Sequence, residues 1–224
     1  MARLARIVIP GMAHHVTQRG NLRAQVFWGD FDYREYLALL AEHLAHLELL
    51  AYCLMPNHVH LIPVPDAEDA LADVMKAVQQ VYARRLNAHR GVTGHLWQSR
   101  YYSCVMDDAH MWAAIRYVER NPVRAGLVAR AEDYPWSSAA AHCGLRVDPL
   151  LSVSLLTECA VEDWATWLRI EDDVESTRIR THTDTGRPCG SRELQQRIST
   201  LLGRPVTPQK TGRKPRYQTS SVKR

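Results

Sequence analysis

Residues 50–64 read Leu50-Ala51-Tyr52-Cys53-Leu54-Met55-Pro56-Asn57-His58-Val59-His60-Leu61-Ile62-Pro63-Val64, two short apolar runs parted by Pro56-Asn57. Proline has no amide hydrogen to give a helix interior and asparagine favours turns, so the pair predicts an antiparallel hairpin of strands over 50–55 and 58–64. Side chains alternate along a strand, which puts His58 and His60 on one face and sends Val59 and Leu61 to the other, into the core. Two imidazoles side by side form a bidentate metal clamp. Two strand histidines facing solvent have the same pattern, and the pair alone leaves both readings open.

Upstream, the β-prone run His14-His15-Val16-Thr17-Gln18-Arg19 stops at Gly20-Asn21 and predicts a first strand. Asp30 suits the cap of a helix whose apolar stripe is Tyr33, Tyr36, Leu37, Leu40, Leu44 and Leu47. Downstream, Leu71, Val74, Val78, Val81, Tyr82 and Leu86 predict a second helix ending near Gly91. A polar loop over 91–99 leads to a strand over 100–106. Asp107 and Asp108 suit the positive N-terminus of a third helix, which is expected to end near Asn121 because Pro122 follows. This order predicts an α+β fold, a ferredoxin-like antiparallel sheet with helices packed on one face of it. The expected organisation is a domain over 1–146, a helical C-terminal appendage over 147–203, and a basic, flexible tail over 204–224. An acidic stretch, Glu162, Asp163, Glu171, Asp172, Asp173 and Glu175, surrounds Trp164 and Trp167 in the appendage and shows no chemistry of its own.

The 224 residues, 46% of them hydrophobic, are enough for one core. No apolar run approaches the roughly 18 residues of a membrane span, and the N-terminal residues lack a signal-peptide core, so a cytoplasmic protein is expected. The five cysteines are odd in number, scattered and without a CxxC pair, which fits reduced thiols. The net charge of +4 is unevenly spread, because Arg204, Lys210, Arg213, Lys214, Arg216, Lys223 and Arg224 close the chain with no acid among them. Removing those seven from 28 basic residues leaves 21 against 24 acidic ones, a body near −3. Such a tail suits a polyanion, since each neutralised phosphate releases counterions, and it equally suits a solvated end. A second basic group, including Arg84, Arg100, Arg116, Arg120, Arg124 and Arg130, lies within the folded part and suggests a phosphate-facing surface.

In Arg116-Tyr117-Val118-Glu119-Arg120-Asn121-Pro122, Tyr117 and Asn121 are four apart and share a helix face, presenting a phenol and an amide together. A tyrosine at the edge of an apolar stripe is also an ordinary packing residue. At this point the sequence resembles the REP-associated tyrosine transposases, within the HUH single-tyrosine transposase superfamily. The resemblance rests on His15-Val16-Thr17-Gln18-Arg19-Gly20-Asn21, on 52–61 (YCLMPNHVHL), on 94–100 (GHLWQSR), on 116–128 (RYVERNPVRAGLV) and on 134–138 (YPWSS), in the family's order over about residues 5–145. Gly186-Arg187-Pro188 and Gly212-Arg213-Lys214-Pro215 also look like longer members, whereas 147–185 match nothing.

The resemblance implies that His58 and His60 hold a divalent metal, Mg²⁺ with Mn²⁺ able to substitute, and that Tyr117 is the nucleophile. It implies Asn121 as third ligand, a position where some relatives carry Gln. It further implies single-stranded or hairpin DNA as partner, cut and rejoined through a 5′-phosphotyrosine link, and a monomer rather than a homodimer. Arg19, Trp97, Arg100 and Arg124 are the candidate DNA contacts, with the tryptophan suited to base stacking. Two other classes compete. A hydrolase using the histidine pair to activate water usually needs a longer barrel and more ligands. A regulator could bind DNA hairpins on the same fold without cleaving.

Overall fold

In the computed structural model, which describes residues 6–152 and 161–207, the chain runs β1 (His14–Arg19), α1 (Asp30–His43), β2 (Leu47–Met55), β3 (His58–Pro65), α2 (Ala70–Arg90), β4 (Tyr102–Val105) and α3 (Asp108–Glu119). The sheet order is β2-β3-β1-β4 with every neighbour antiparallel, the expected ferredoxin-like arrangement. Boundaries follow local chemistry. Gly29 takes the N-cap position of α1, and Asp32, rather than Asp30, receives the amides of Trp28 at 2.7 Å and Gly29 at 3.2 Å. The helix stops at His43, so Leu47 opens β2 instead of closing the helical stripe. Asp107 caps α3 as its position predicts, accepting from the amide of His110 at 3.2 Å. Pro122 does not end the helical backbone but opens a short further turn, α4 (Asn121–Arg124), where its missing N–H is harmless.

Helices cover both faces of the sheet, where the order of elements had suggested one. Val16, Leu54, Val59 and Leu61 pack with Tyr36 and Leu40 of α1 and Val78 and Tyr82 of α2. The opposite face presents Ala51, Cys53, Ile62 and Cys104, and α3 buries Ala114, Ile115 and Val118 against it. A sheet apolar on both sides has to be covered twice, and fully burying one such side chain contributes about 1.5–3 kcal/mol. The pairing of β2 with β3 shifts between Leu49 and Ala51. At this bulge Leu50 and Ala51 both join the α3 core.

The later helices are α5 (Ala139–His142), α6 (Trp164–Trp167), α7 (Asp173–Thr185) and α8 (Arg192–Leu201). Trp164, Leu168, Ile179 and Cys189 enter the core beneath α3, so α6 and α7 belong to the second layer. Leu194 and Ile198 of α8 close a smaller cluster with Ile7 and Val105. Arg204 is the one basic residue of the predicted tail within the described residues; Lys210 to Arg224, like Cys159, lie outside them. No described helix is long and apolar enough to cross a membrane.

Glu119 registers these layers. Its fully buried carboxylate receives the hydroxyl of Ser138, Nδ1 of His142 at 2.6 Å and the indole Nε1–H of Trp164 at 2.8 Å. Ser138 in turn holds β2, taking the Tyr52 amide on its Oγ at 3.1 Å and giving its own amide to the Tyr52 carbonyl at 3.0 Å. Glu119→Leu strands those donors without an acceptor, at about 1–3 kcal/mol for each buried unpaired group. Urea unfolding is expected to show a loss of about 3 kcal/mol or more, and a loss below about 1 kcal/mol would contradict this role.

Candidate active site

His58 and His60 leave the α3-facing side of β3 with ring centroids 4.8 Å apart. The amide of Asn57 fixes the first ring. Asn57 Nδ2 donates to the Arg23 carbonyl at 3.1 Å, so Oδ1 is the atom facing His58, 2.6 Å from its Nδ1. A carbonyl oxygen only accepts, hence Nδ1 of His58 carries the proton and Nε2 keeps its lone pair. The Arg23 carbonyl belongs to a tight turn in which Leu22 and Arg23 adopt φ of 52° and 61°. Left-handed backbone at a residue with a side chain costs about 1–2 kcal/mol, and the bond to Asn57 helps hold it. Gly20 precedes that turn, and a Cβ there would lie 2.2 Å from the Ala24 carbonyl oxygen, so only glycine fits.

His60 is buried, with Nδ1 2.9 Å from Nε2 of His15 on β1 and Nε2 making no hydrogen bond. The His15 ring stacks on it at 5.1 Å between centroids. Tyr117 meets both rings edge-on, 5.7 Å from each, and its hydroxyl has no hydrogen-bond partner among the described residues. Asn121 sits one helical turn on. Its Nδ2 donates to the Tyr117 carbonyl at 3.0 Å and lies 3.4 Å from that of Val118, which Pro122 cannot serve. The amide is thereby turned with Oδ1 away from the helix, 3.5 Å from Nη1 of Arg124. Arg124 lies 5.1 Å over the Tyr117 ring.

Burial holds the histidines neutral. It lowers His58 to about 4, helped by the charge of Arg19, which pairs opposite it in the sheet. His15 falls to about 3 through burial and the neighbouring His58. His60 falls well below the usual range through burial, then through His58, His15, Arg19 and Arg124. Neutral imidazoles are what a divalent cation requires, and the orphaned Nε2 of His60 is a buried ring nitrogen that such an ion would satisfy. Two imidazole nitrogens and one amide oxygen therefore fit the implied metal. Among the described residues, no three His, Cys, Asp or Glu side chains form a cluster able to hold a metal by themselves. His15 offers no third nitrogen, because Thr183 and His60 occupy both of its own.

The candidate DNA contacts are dispersed. Arg19 and Arg124 border the histidine pair. Arg100 lines a separate cleft of about 670 Å³ beside β4, together with Arg6, Arg187 and Arg204. Trp97 is half-buried, donating Nε1–H to the Gln79 carbonyl at 3.1 Å and bridging to Gly20, so it fixes the loop that carries Arg100. Arg116 and Arg120, counted from sequence with the phosphate-facing surface, are instead paired with acids of the appendage: Asp172 at 3.1 Å and Glu171 at 3.0 Å. His15 and Thr183 are site residues that the sequence reading missed. His15 shares the face of Thr17 and Arg19 by strand period and could have been placed; Thr183 carries no local signal.

A ferredoxin-like sheet that sets a strand histidine pair against a helix tyrosine defines the HUH-type single-tyrosine class. Residues 9–121 match the profile of the family described as Transposase IS200 like, half of the chain, and the chain belongs to that family. Over 118 residues it is 26% identical to a Haemophilus influenzae protein described as a REP-associated tyrosine transposase, covering 48% of this chain and 66% of the relative, just under two thirds. A solved structure described as a REP-associated tyrosine transposase bound to a REP hairpin matches with a TM-score of 0.54 at 18% identity, over 68% of this chain and 98% of the other. At that identity the likeness establishes the fold, and the resemblance read from the motifs is borne out.

The buried histidines also set a pH dependence. An unfolded histidine titrates near 6.5, so between that value and about 4 the unfolded metal-free chain binds protons that the fold excludes. Stability is full above about 6.5 and falls as the pH drops towards the folded values, by up to about 1.4 kcal/mol per pH unit for each such histidine. Urea midpoints of the metal-free protein are expected to fall from pH 7 to pH 5; a flat profile over that range would contradict the neutral cluster.

Proposed function

We propose that this chain is a metal-dependent single-strand DNA endonuclease and strand transferase that acts on hairpin DNA through a covalent 5′-phosphotyrosine intermediate. The observation that carries this reading is Tyr117 standing 5.7 Å from a buried His60 whose Nε2 is bare. His58, His60 and Asn121 would hold Mg²⁺, which Mn²⁺ can replace, since imidazole nitrogens suit Mn²⁺ at least as well. The ion, when bound, supplies charge neutralisation at the scissile phosphate. Tyr117 would attack phosphorus, forming the tyrosyl–phosphate bond as the bond to the 3′-oxygen breaks and a free 3′-OH departs. Because the phosphodiester energy is kept in that link, a DNA 3′-OH can reverse the step and rejoin strands. Arg124, over the tyrosine ring, is suited to the phosphate beside it, and Arg19 to the strand entering past His58.

The cleft bearing Arg6, Arg100, Arg187 and Arg204 suits the backbone of the strand flanking the hairpin. Hairpin DNA as the substrate class is taken from the REP-hairpin complex that shares the fold. A monomer suffices for this chemistry, because tyrosine and histidines meet within one chain, and the cytoplasm is the proposed place of action. Labelled hairpin DNA incubated with Mg²⁺ or Mn²⁺ and run on a denaturing gel is expected to give a covalent adduct with the wild type. Tyr117→Phe should retain binding and form no adduct, and His60→Ala should lose the adduct in both ions. An adduct that persists in Tyr117→Phe means the nucleophile is another residue. Hairpin binding without cleavage under any divalent ion means the protein is a non-cleaving regulator.

A further inference from the structure

We infer that Thr183, in the appendage, is a positioning residue for the metal centre: acting through His15, it sets which nitrogen of His60 carries the proton. The inference rests on the proposed metal role of His60 and goes beyond it. Thr183 Oγ1 lies 2.8 Å from the Ile179 carbonyl, 2.7 Å from Nδ1 of His15 and 3.2 Å from the Cys104 thiol. In the assignment inferred, its single hydroxyl proton goes back along α7 to the Ile179 carbonyl, the one of the three partners that can only accept. The oxygen must then accept from His15, so His15 is protonated on Nδ1. A neutral ring has one N–H, which leaves Nε2 of His15 as an acceptor for Nδ1–H of His60 at 2.9 Å. Nε2 of His60 is thereby bare and free to bind a cation. Thr183 and His15 are 1% exposed and His60 4%, so water does not compete for these bonds.

Run in the opposite sense, the same contacts would put a proton on Nε2 of His60, a buried N–H with no acceptor and no lone pair for a metal. Outer partners of this kind fix ligand tautomers, and losing one commonly weakens metal binding 10–100-fold. The motif that carries His15 is part of the family match, whereas Thr183 lies outside the matched residues 9–121. The relay is thus a point at which the appendage reaches the centre.

The test uses the full chain with Thr183→Val, which keeps the shape and removes the hydroxyl, and Thr183→Ser, which restores it; thermal melting checks that both fold. Long-range proton–nitrogen NMR of the metal-free protein, labelled on histidine nitrogen, reads the tautomers directly. The wild type and Thr183→Ser are expected to carry the His60 proton on Nδ1, and Thr183→Val to lose that preference. Mn²⁺ titration followed by electron paramagnetic resonance is expected to show affinity about 10–100-fold weaker in Thr183→Val and near wild type in Thr183→Ser. A wild-type His60 protonated on Nε2, or a Thr183→Val protein with unchanged tautomer and affinity, overturns the inference. If the tautomers follow expectation but the wild type binds no Mn²⁺, the relay stands and the metal-centre reading falls.

Discussion

The site exists because a buried carboxylate holds a helix in register on a sheet. Glu119 receives donors from Ser138 and His142, at the two ends of α5, and from Trp164 on α6, and Ser138 is itself bonded to the backbone of β2. Tyr117 is two residues before Glu119 on α3, so the bonds that fix the carboxylate also fix where the phenol stands relative to β3. A charged group taken out of water is tolerated only when its lone pairs are filled, and here they are filled from the very elements that must be aligned. The apolar contacts of Ile115 and Val118 supply most of the attraction between α3 and the sheet but little directional information.

Much of the fold could be read from the sequence because its signals are local. The Pro56-Asn57 turn, the period-two faces of β3, the stripe of α2 and the cap at Asp107 each announce themselves within a few residues. The histidine pair and Tyr117 belong to such segments, so their placement on a strand face and a helix could be read locally. What the sequence concealed depends on distant partners. The covering of both faces by helices follows from how α3 returns after the edge strand, which no window of residues records. Glu119 looks like one more charged helix residue until Trp164 and His142 are placed around it. Thr183 looks like a solvent-facing threonine in a polar helix, yet it is buried against a histidine 168 residues away.

The acidic stretch of the appendage gains a meaning in the same way. Asp172 and Glu171 show no role in sequence because their partners, Arg116 and Arg120, lie about fifty positions away. Their pairing removes two arginines from the basic surface, while Arg19 and Arg124 border the histidine pair and Arg6, Arg100, Arg187 and Arg204 line the cleft beside β4. The pairs are partly exposed and individually contribute little stability. Their effect is local: each pair neutralises a guanidinium that would otherwise add to the positive surface potential.

The long reach of the His15–Thr183 bond has a consequence for the birth of the protein. A ribosome adding about 5–20 residues per second needs on the order of 10–30 s to travel from one residue to the other, and the hairpin bearing His58 and His60 has emerged well before the journey ends. Strand pairing of widely separated segments is slow in any case. During synthesis the sheet can therefore close while its central histidines still lack their outermost partner, and the histidine chain takes its final form only after the appendage has docked. The topology itself thus delays completion of the histidine chain until the fold is nearly whole.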